Sequence, residues 1–261
     1  MKVSRRKLLR LLLYGTPVGC AADTFLVEPE WVRVTRHRLR GKGSKVRFVH
    51  FTDLHFKGDT SYLKNVVRKI NALSPEFACF TGDIVENNSY LESALEILGG
   101  IKCPIYGVPG NHDHWSHSNF STIQSAFEKT GGTWLVNRDI VLEKQGIHIV
   151  GIDDVPMTMA SRPEHTSLLL AHYPIWAEQI VPHRFDLILS GHSHGGQVRL
   201  PLIGALIVPF NVGRYELGLY ETSAGKLYVN AGIGTFYLDV RFFCRLRSRC
   251  LIHEKMPPYE M

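Results

Sequence analysis

Apolar residues fall along this chain in two rhythms, and polar residues interrupt them at regular places. Val46-Arg47-Phe48-Val49-His50-Phe51 is an apolar-rich run of strand length that ends in Thr52-Asp53-Leu54-His55. The rhythm then changes. Leu63, Val66, Val67, Ile70 and Leu73 recur at helical spacing and predict a helix stopped by Ser74-Pro75. A second strand, Phe77-Ala78-Cys79-Phe80, ends in Thr81-Gly82-Asp83. Ser89 and Glu92 form a predicted capping box for a helix carrying Leu91, Leu95 and Leu98, which Gly99-Gly100 ends. A third strand, Ile105-Tyr106-Gly107-Val108, delivers Pro109-Gly110-Asn111-His112-Asp113.

The second half is richer in strands. Trp134-Leu135-Val136, Ile140-Val141-Leu142 and Ile147-His148-Ile149-Val150-Gly151-Ile152 read as strands, the last two joined by a hairpin turn at Gln145-Gly146. Ser167-Leu168-Leu169-Leu170-Ala171 is a buried strand ending at His172. Leu187-Ile188-Leu189 ends at Ser190-Gly191-His192-Ser193-His194-Gly195-Gly196. Tyr215 to Tyr220 and Lys226 to Val229 flank Ser223-Ala224-Gly225 as a further hairpin. In an open α/β sheet the carboxyl ends of parallel strands lie along one edge, so Asp53, His55, Asp83, Asn111 and His112 are expected to converge.

Composition narrows the class. A chain of 261 residues with 44% hydrophobic residues can build one large core, and no solenoid repeat or low-complexity tract divides it. The five cysteines show no CxxC pairing, which argues against a zinc ribbon or a disulfide framework, although Cys244 and Cys250 are spaced to pair in an oxidising compartment. The net charge of +6 points to anionic partners. Ser4-Arg5-Arg6-Lys7-Leu8-Leu9-Arg10, the apolar Leu11-Leu12-Leu13 and the small residues Gly19-Cys20-Ala21-Ala22 look like a twin-arginine export signal, with Leu8 in place of the usual Phe and Arg10 interrupting the apolar run. Residues 1–22 are therefore read as a signal or membrane anchor, 23–45 as a basic linker, and 46–261 as the catalytic domain. The expected location is periplasmic or otherwise beyond the cytoplasm, with the membrane periphery as the alternative. The linker's Arg33, Arg36, Arg38, Arg40, Lys42 and Lys45 read first as a solvated strand or arm and second as a contact for an anionic membrane surface.

Asp53, His55, Asp83, Asn111, His172, His192 and His194 form a set of carboxylate, carboxamide and imidazole donors without a thiolate, which suits Mn, Fe or Zn. One such stretch alone reads as an ordinary polar turn. Five of them at strand ends do not, because burying so many unpaired polar groups without an ion costs about 1 to 3 kcal/mol each.

The ordered set Asp53-x-His55, Gly82-Asp83, Gly110-Asn111-His112-Asp113, His172 and Gly191-His192-x-His194 resembles the calcineurin-like metallophosphoesterases across residues 46 to 196. With the export-like N-terminus and Gly195-Gly196-Gln197, it looks like their small bacterial twin-arginine-exported phosphodiesterase branch. The resemblance implies a four-layer α/β/β/α sandwich of two mixed sheets flanked by helices. It also implies two divalent ions, Mn with Fe or Zn as alternatives. Asp53, His55 and His194 would hold one ion, Asn111, His172 and His192 the other, and Asp83 would bridge both; a hydroxide shared between the ions is the implied nucleophile. His112 would protonate or electrostatically stabilise the leaving oxygen, with Asp113 as an orienting group. The implied substrate is a phosphate ester or pyrophosphate, with a lipid-linked one among the candidates and no nucleic-acid partner other than as substrate. The alternatives are a UDP-2,3-diacylglucosamine pyrophosphatase of lipid A synthesis and a non-catalytic scaffold. Ala231 departs from the Arg that members often carry, and Arg241, Arg245, Arg247 and Arg249 are candidates to replace that charge. Val198 to Phe210 is an apolar stretch that reads as core and loop, or as the wall of an acyl-chain groove.

Overall fold

The computed structural model describes residues 33–39, 46–153, 161–180, 182–200, 203–236, 241, 244 and 247–253. The export-signal reading of residues 1–22 lies outside them, and among the described residues no helix is long and apolar enough to cross a membrane. In chain order the first half runs β1 (Arg33–Leu39), β2 (Val46–Phe51), α1 (Thr60–Ala72), β3 (Phe77–Phe80), α2 (Leu91–Leu98), β4 (Ile105–Gly107), α3 (Asn111–Trp115), α4 (Phe120–Lys129) and β5 (Thr133–Trp134). The second half runs β6 (Arg138–Leu142), β7 (Ile147–Ile152), β8 (Thr166–Ala171), α5 (Trp176–Gln179), β9 (Phe185–Ser190), β10 (Arg199–Leu200), β11 (Gly204–Ala205), β12 (Gly218–Thr222), β13 (Gly225–Val229) and β14 (Arg247–His253).

Two six-stranded sheets result, with orders β1-β14-β2-β3-β4-β5 and β12-β13-β9-β8-β7-β6. Neighbours from β2 to β5 are parallel, as are β7, β8, β9 and β13. Within the segment expected as a basic linker, β1 is instead an edge strand, paired in parallel with β14.

Strand alternation assigns the two faces of each sheet to different cores. In β3, Ala78 and Phe80 pack under the helices, whereas Phe77 and Cys79 pack between the sheets. The helices contribute Leu63, Val66 and Ile70 of α1, Leu91, Leu95 and Leu98 of α2, and Ile123 and Phe127 of α4. Between the sheets, Phe48 and Tyr106 meet Ile149, Leu168, Leu170 and Leu189. A third layer covers the far face of the second sheet, where Val150, Leu169 and Ile188 meet Trp176 and Tyr215. The four-layer α/β/β/α arrangement is present, and among the described residues its outermost layer on that side carries only the four-residue α5.

Two local expectations are corrected. The Ser89–Glu92 capping box does not form. The Asn87 side chain accepts from Ser89 N at 2.9 Å, draws Asn88–Tyr90 into a 3-10 turn, and delays α2 to Leu91. The Tyr215-to-Tyr220 strand starts later, at Gly218, and pairs antiparallel with β13. The suggested pairing of Cys244 with Cys250 lies outside the described side chains; the Cys244 thiol donates to His194 O at 3.3 Å.

Phe80 is fully buried, with its ring centroid 4.9 Å from Phe51 and 6.4 Å from Trp134. Phe80→Ala should lower unfolding free energy by about 3 to 5 kcal/mol in urea denaturation. Leu219→Ala, at a side chain 49% exposed, should stay within about 0.5 kcal/mol.

Candidate metal centre

The parallel strands of both sheets end at one edge, and their loops are fastened to each other by backbone bonds. Asp53 N donates to Gly82 O at 2.9 Å and Leu54 N to Asp83 O at 2.8 Å, extending the β2–β3 pairing into the loops. Asp113, at the start of α3, accepts from the backbone N–H groups of Asp83, Ile84 and Gly110 at 2.8, 2.9 and 2.8 Å. Its fully buried carboxylate therefore joins the β3 loop to the β4 loop. Burial and the neighbouring Asp83 charge push Asp113 up to about 6, against the pull of those N–H donors. From the other sheet, His192 N donates to both Asp53 carboxylate oxygens at 3.0 and 3.1 Å.

This closeness requires glycine at two positions. A Cβ on Gly110 would lie 2.2 Å from Asp83 Oδ1, and one on Gly191 would lie 2.3 Å from Asp53 Oδ2. The site residues themselves are turned inward by left-handed backbone: Asp53, His55, Asp83, His192 and His194 have φ of 51°, 43°, 64°, 64° and 49°. Each such residue costs about 1 to 2 kcal/mol, so the surrounding contacts must hold all five in place.

All seven donors expected from the sequence are buried at this edge. Asp53, His55, Asp83 and His194 form one cluster, and Asp83, His172 and His192 form another, with Asn111 Oδ1 3.0 Å from His172 Nε2. Asp83 belongs to both.

The protonation of the rings follows from their partners. His172 Nδ1 lies 2.6 Å from Thr81 O and His192 Nε2 lies 2.8 Å from Phe210 O; a carbonyl only accepts, so both nitrogens carry protons. The remaining nitrogens, His172 Nε2 and His192 Nδ1, face each other at 3.1 Å, and each presents a lone pair when its ring is neutral. His55 Nδ1 is 2.6 Å from Glu86 Oε1, and its Nε2 lies 3.0 Å from His194 Nε2. Asp83 Oδ2 stands 3.4 Å from His55 Nε2 and 3.3 Å from His172 Nε2, buried and without a hydrogen-bond partner among the described residues. Acceptors converging on acceptors repel unless a positive charge lies among them. The donor set and its orphaned carboxylate oxygen fit two divalent cations.

The field at this edge is strong. Burial opposes charge on Asp83, but His172, His55 and His112 hold its carboxyl far below the usual range. Burial likewise works against charge on His172, and the Asp83 and Asp53 carboxylates override it, pushing the ring up to about 9, so that in the absence of a cation a proton takes its place on Nε2; burial and the His172 charge pull His192 down to about 3.

Glu86 was missed by the sequence reading. Its Oε2 lies 2.9 Å from His112 Nδ1 while Oε1 faces His55, so one carboxylate clamps both rings. Burial raises Glu86, yet the two histidines bring it down to about 2. On His112 burial disfavours the imidazolium, but Glu86 and the Asp83 charge outweigh it and raise the pKa. The signal was an acidic residue three positions after Asp83. Extended backbone would have sent the two carboxylates to opposite faces, and the left-handed Asp83 removes that obstacle.

His112 lines a cavity of about 220 Å³ together with Asp83, Asn111, Trp115, Phe210 and Phe236. His114 and Asp153, whose Nε2 and Oδ1 lie 2.8 Å apart, line a smaller cavity with Asn111, Trp115 and His172. Arg241, a candidate for the missing charge near Ala231, is fully buried and donates to the carbonyls of His194, Ala231, Gly234 and Cys244, beneath the His194 loop.

Residues 46–196 match the family model described as Calcineurin-like phosphoesterase. The uncharacterized metallophosphoesterase YkuE of Bacillus subtilis is 28% identical, over 94% of this chain and 95% of its own length. The phosphodiesterase YaeI of Escherichia coli is 29% identical, over 84% of this chain and 87% of its own. A transmembrane protein with metallophosphoesterase domain from Bos taurus is 27% identical over 87% of this chain, which spans 57% of that relative's length.

Asp113→Asn places an amide N–H₂ against backbone donors. It should cost about 1 to 3 kcal/mol in urea denaturation and weaken Mn²⁺ binding measured by calorimetry, although Asp113 is not among the clustered donors.

Proposed function

The chain belongs to the calcineurin-like phosphoesterase family and is a metal-dependent phosphoesterase, and from that premise we propose that it hydrolyses phosphodiesters. In this reading Asp53, His55 and His194 hold one divalent ion, Asn111, His172 and His192 hold the other, and Asp83 is shared. Mn is the favoured metal, with Fe or Zn as alternatives. Ions bound there supply Lewis acidity toward the phosphoryl oxygens and make water a nucleophile near neutral pH.

The chain's own residues do the rest. His112 is the proton donor to the leaving oxygen. Glu86 fixes its Nδ1 and favours the charged ring, which leaves Nε2 as the nitrogen that exchanges a proton with a group in the cavity. Asp113 acts on neither substrate nor proton and sets the spacing of the Asp83 and Asn111 loops.

The observation that carries the phosphodiester assignment is the lining of this cavity. Among the described residues it holds no Lys or Arg, while Trp115, Phe210 and Phe236 supply aromatic walls. A monoester dianion would bring a second charge with no Lys or Arg beside the His112 ring to meet it, whereas a diester brings one charge and a second substituent for the walls. The 29% identity to a relative named a phosphodiesterase supports the same choice. A second reading, cleavage of the pyrophosphate in UDP-2,3-diacylglucosamine, is favoured by the apolar residues Leu206 and Ile207 near His194. The proposed placement at or beyond the cytoplasmic membrane rests on Ser4 to Leu13 in the sequence.

With Mn²⁺, the purified protein should hydrolyse a chromogenic phosphodiester faster than the matching monoester, with UDP-2,3-diacylglucosamine assayed in parallel. Monoester preference would overturn the diester assignment. Asp83→Asn should lose metal and activity together. His112→Ala should retain metal by mass spectrometry and lose about a hundredfold to ten-thousandfold in kcat. Metal content well below one ion per wild-type chain would favour a non-catalytic scaffold.

A further inference from the structure

Beside the catalytic cavity lies a second and larger one, of about 430 Å³, within the usual range of ligand pockets. Val198, Leu206, Ile207 and Val208 form its apolar walls, and it shares His194, Pro209 and Phe236 with the catalytic cavity. Phe236 stands between the two, with its ring centroid 4.9 Å from His112 and 5.7 Å from His194. Its backbone is held by Gln197, whose Nε2 donates to Phe236 O at 3.0 Å.

The wall is built from both ends. Leu206 N donates to Val198 O at 3.1 Å, and Phe210 O accepts from His192 Nε2 at 2.8 Å, so the apolar loop is anchored on the ring of a candidate metal ligand. Arg199 and Glu216 brace its base at 3.0 Å, and Glu216 also accepts from Ala205 N. Leu206, Ile207, Phe210 and Trp115, all exposed, line one cavity or the other. Apolar surface gathered in a concavity marks a binding site.

Resting on the phosphodiesterase reading, we infer that the substrate carries a linear aliphatic chain, acyl or alkyl, which lies in the larger cavity while its phosphate reaches His112. The occupant is the substrate's own chain because the two cavities share His194, Pro209 and Phe236. A group seated in one is within covalent reach of a group in the other. The net charge of +6 suits the anionic head of such a molecule.

Calorimetry of the Mn²⁺-loaded protein with alkylphosphonates from ethyl to decyl tests this without requiring turnover. Affinity should tighten about fourfold per added methylene until the chain fills the cavity. In the double variant Leu206→Gln with Val208→Gln, that rise should flatten while affinity for ethylphosphonate stays the same. Ile207→Gln, at a side chain 80% exposed and so without consequence for folding, should act in the same direction. A flat series in the wild type, or a rise that both variants leave intact, overturns the inference. A flat series with a methyl phosphodiester still hydrolysed removes only the aliphatic chain. A steep series with no diester hydrolysed keeps the groove and removes the phosphodiesterase reading.

Discussion

The edge of this fold is organised by one carboxylate, Asp83, whose orphaned oxygen sits 3.3 to 3.4 Å from the Nε2 atoms of two different histidines. That arrangement is cohesive only with positive charge among its acceptors, whether a proton on His172 or bound cations. Everything near it serves to bring acceptors together against their repulsion. Asp113 joins two loops from beneath, His192 N ties Asp53 to the opposite sheet, and Gly110 and Gly191 remove the methylenes that would keep the carboxylates away. Five site residues in left-handed backbone add strain on the scale of a domain's whole net stability. Three stacked apolar layers are the source of the rigidity that holds them.

Glu86 links the two halves of the chemistry. By facing His55 and His112 at once, it couples a candidate metal ligand to the candidate proton donor. The same economy appears on the far side, where the Phe210 carbonyl that fixes the His192 tautomer belongs to the apolar loop bordering the site. The geometry of the metal donors and the shape of the neighbouring cavities therefore depend on the same few backbone positions.

Much of this was legible in the sequence. Strands with both faces buried read as continuous apolar runs, and polar residues at their ends marked the edge, so β2, β3, β8 and β9 were legible, as was the gathering of the seven candidate donors at that edge. What escaped was set by tertiary geometry or by competition between local hydrogen bonds. Glu86 required the left-handed turn at Asp83. The start of α2 was decided by Asn87 rather than Ser89. Residues 33–39 read as a solvated strand or arm, and their place in a sheet escaped because their partner, β14, lies some two hundred residues away in sequence. Arg241 could be named as a charge, but only its burial beneath the His194 loop reveals that it holds backbone carbonyls instead of facing the cavity.

The sharing of Asp83 between two ions is most directly tested by anomalous scattering from crystals of the Mn²⁺-loaded protein. Two peaks are expected, one on each side of the Asp83 carboxylate, with His55 and His194 beside the first and His172 and His192 beside the second. A single peak held by one cluster, or two peaks without Asp83 between them, would contradict it.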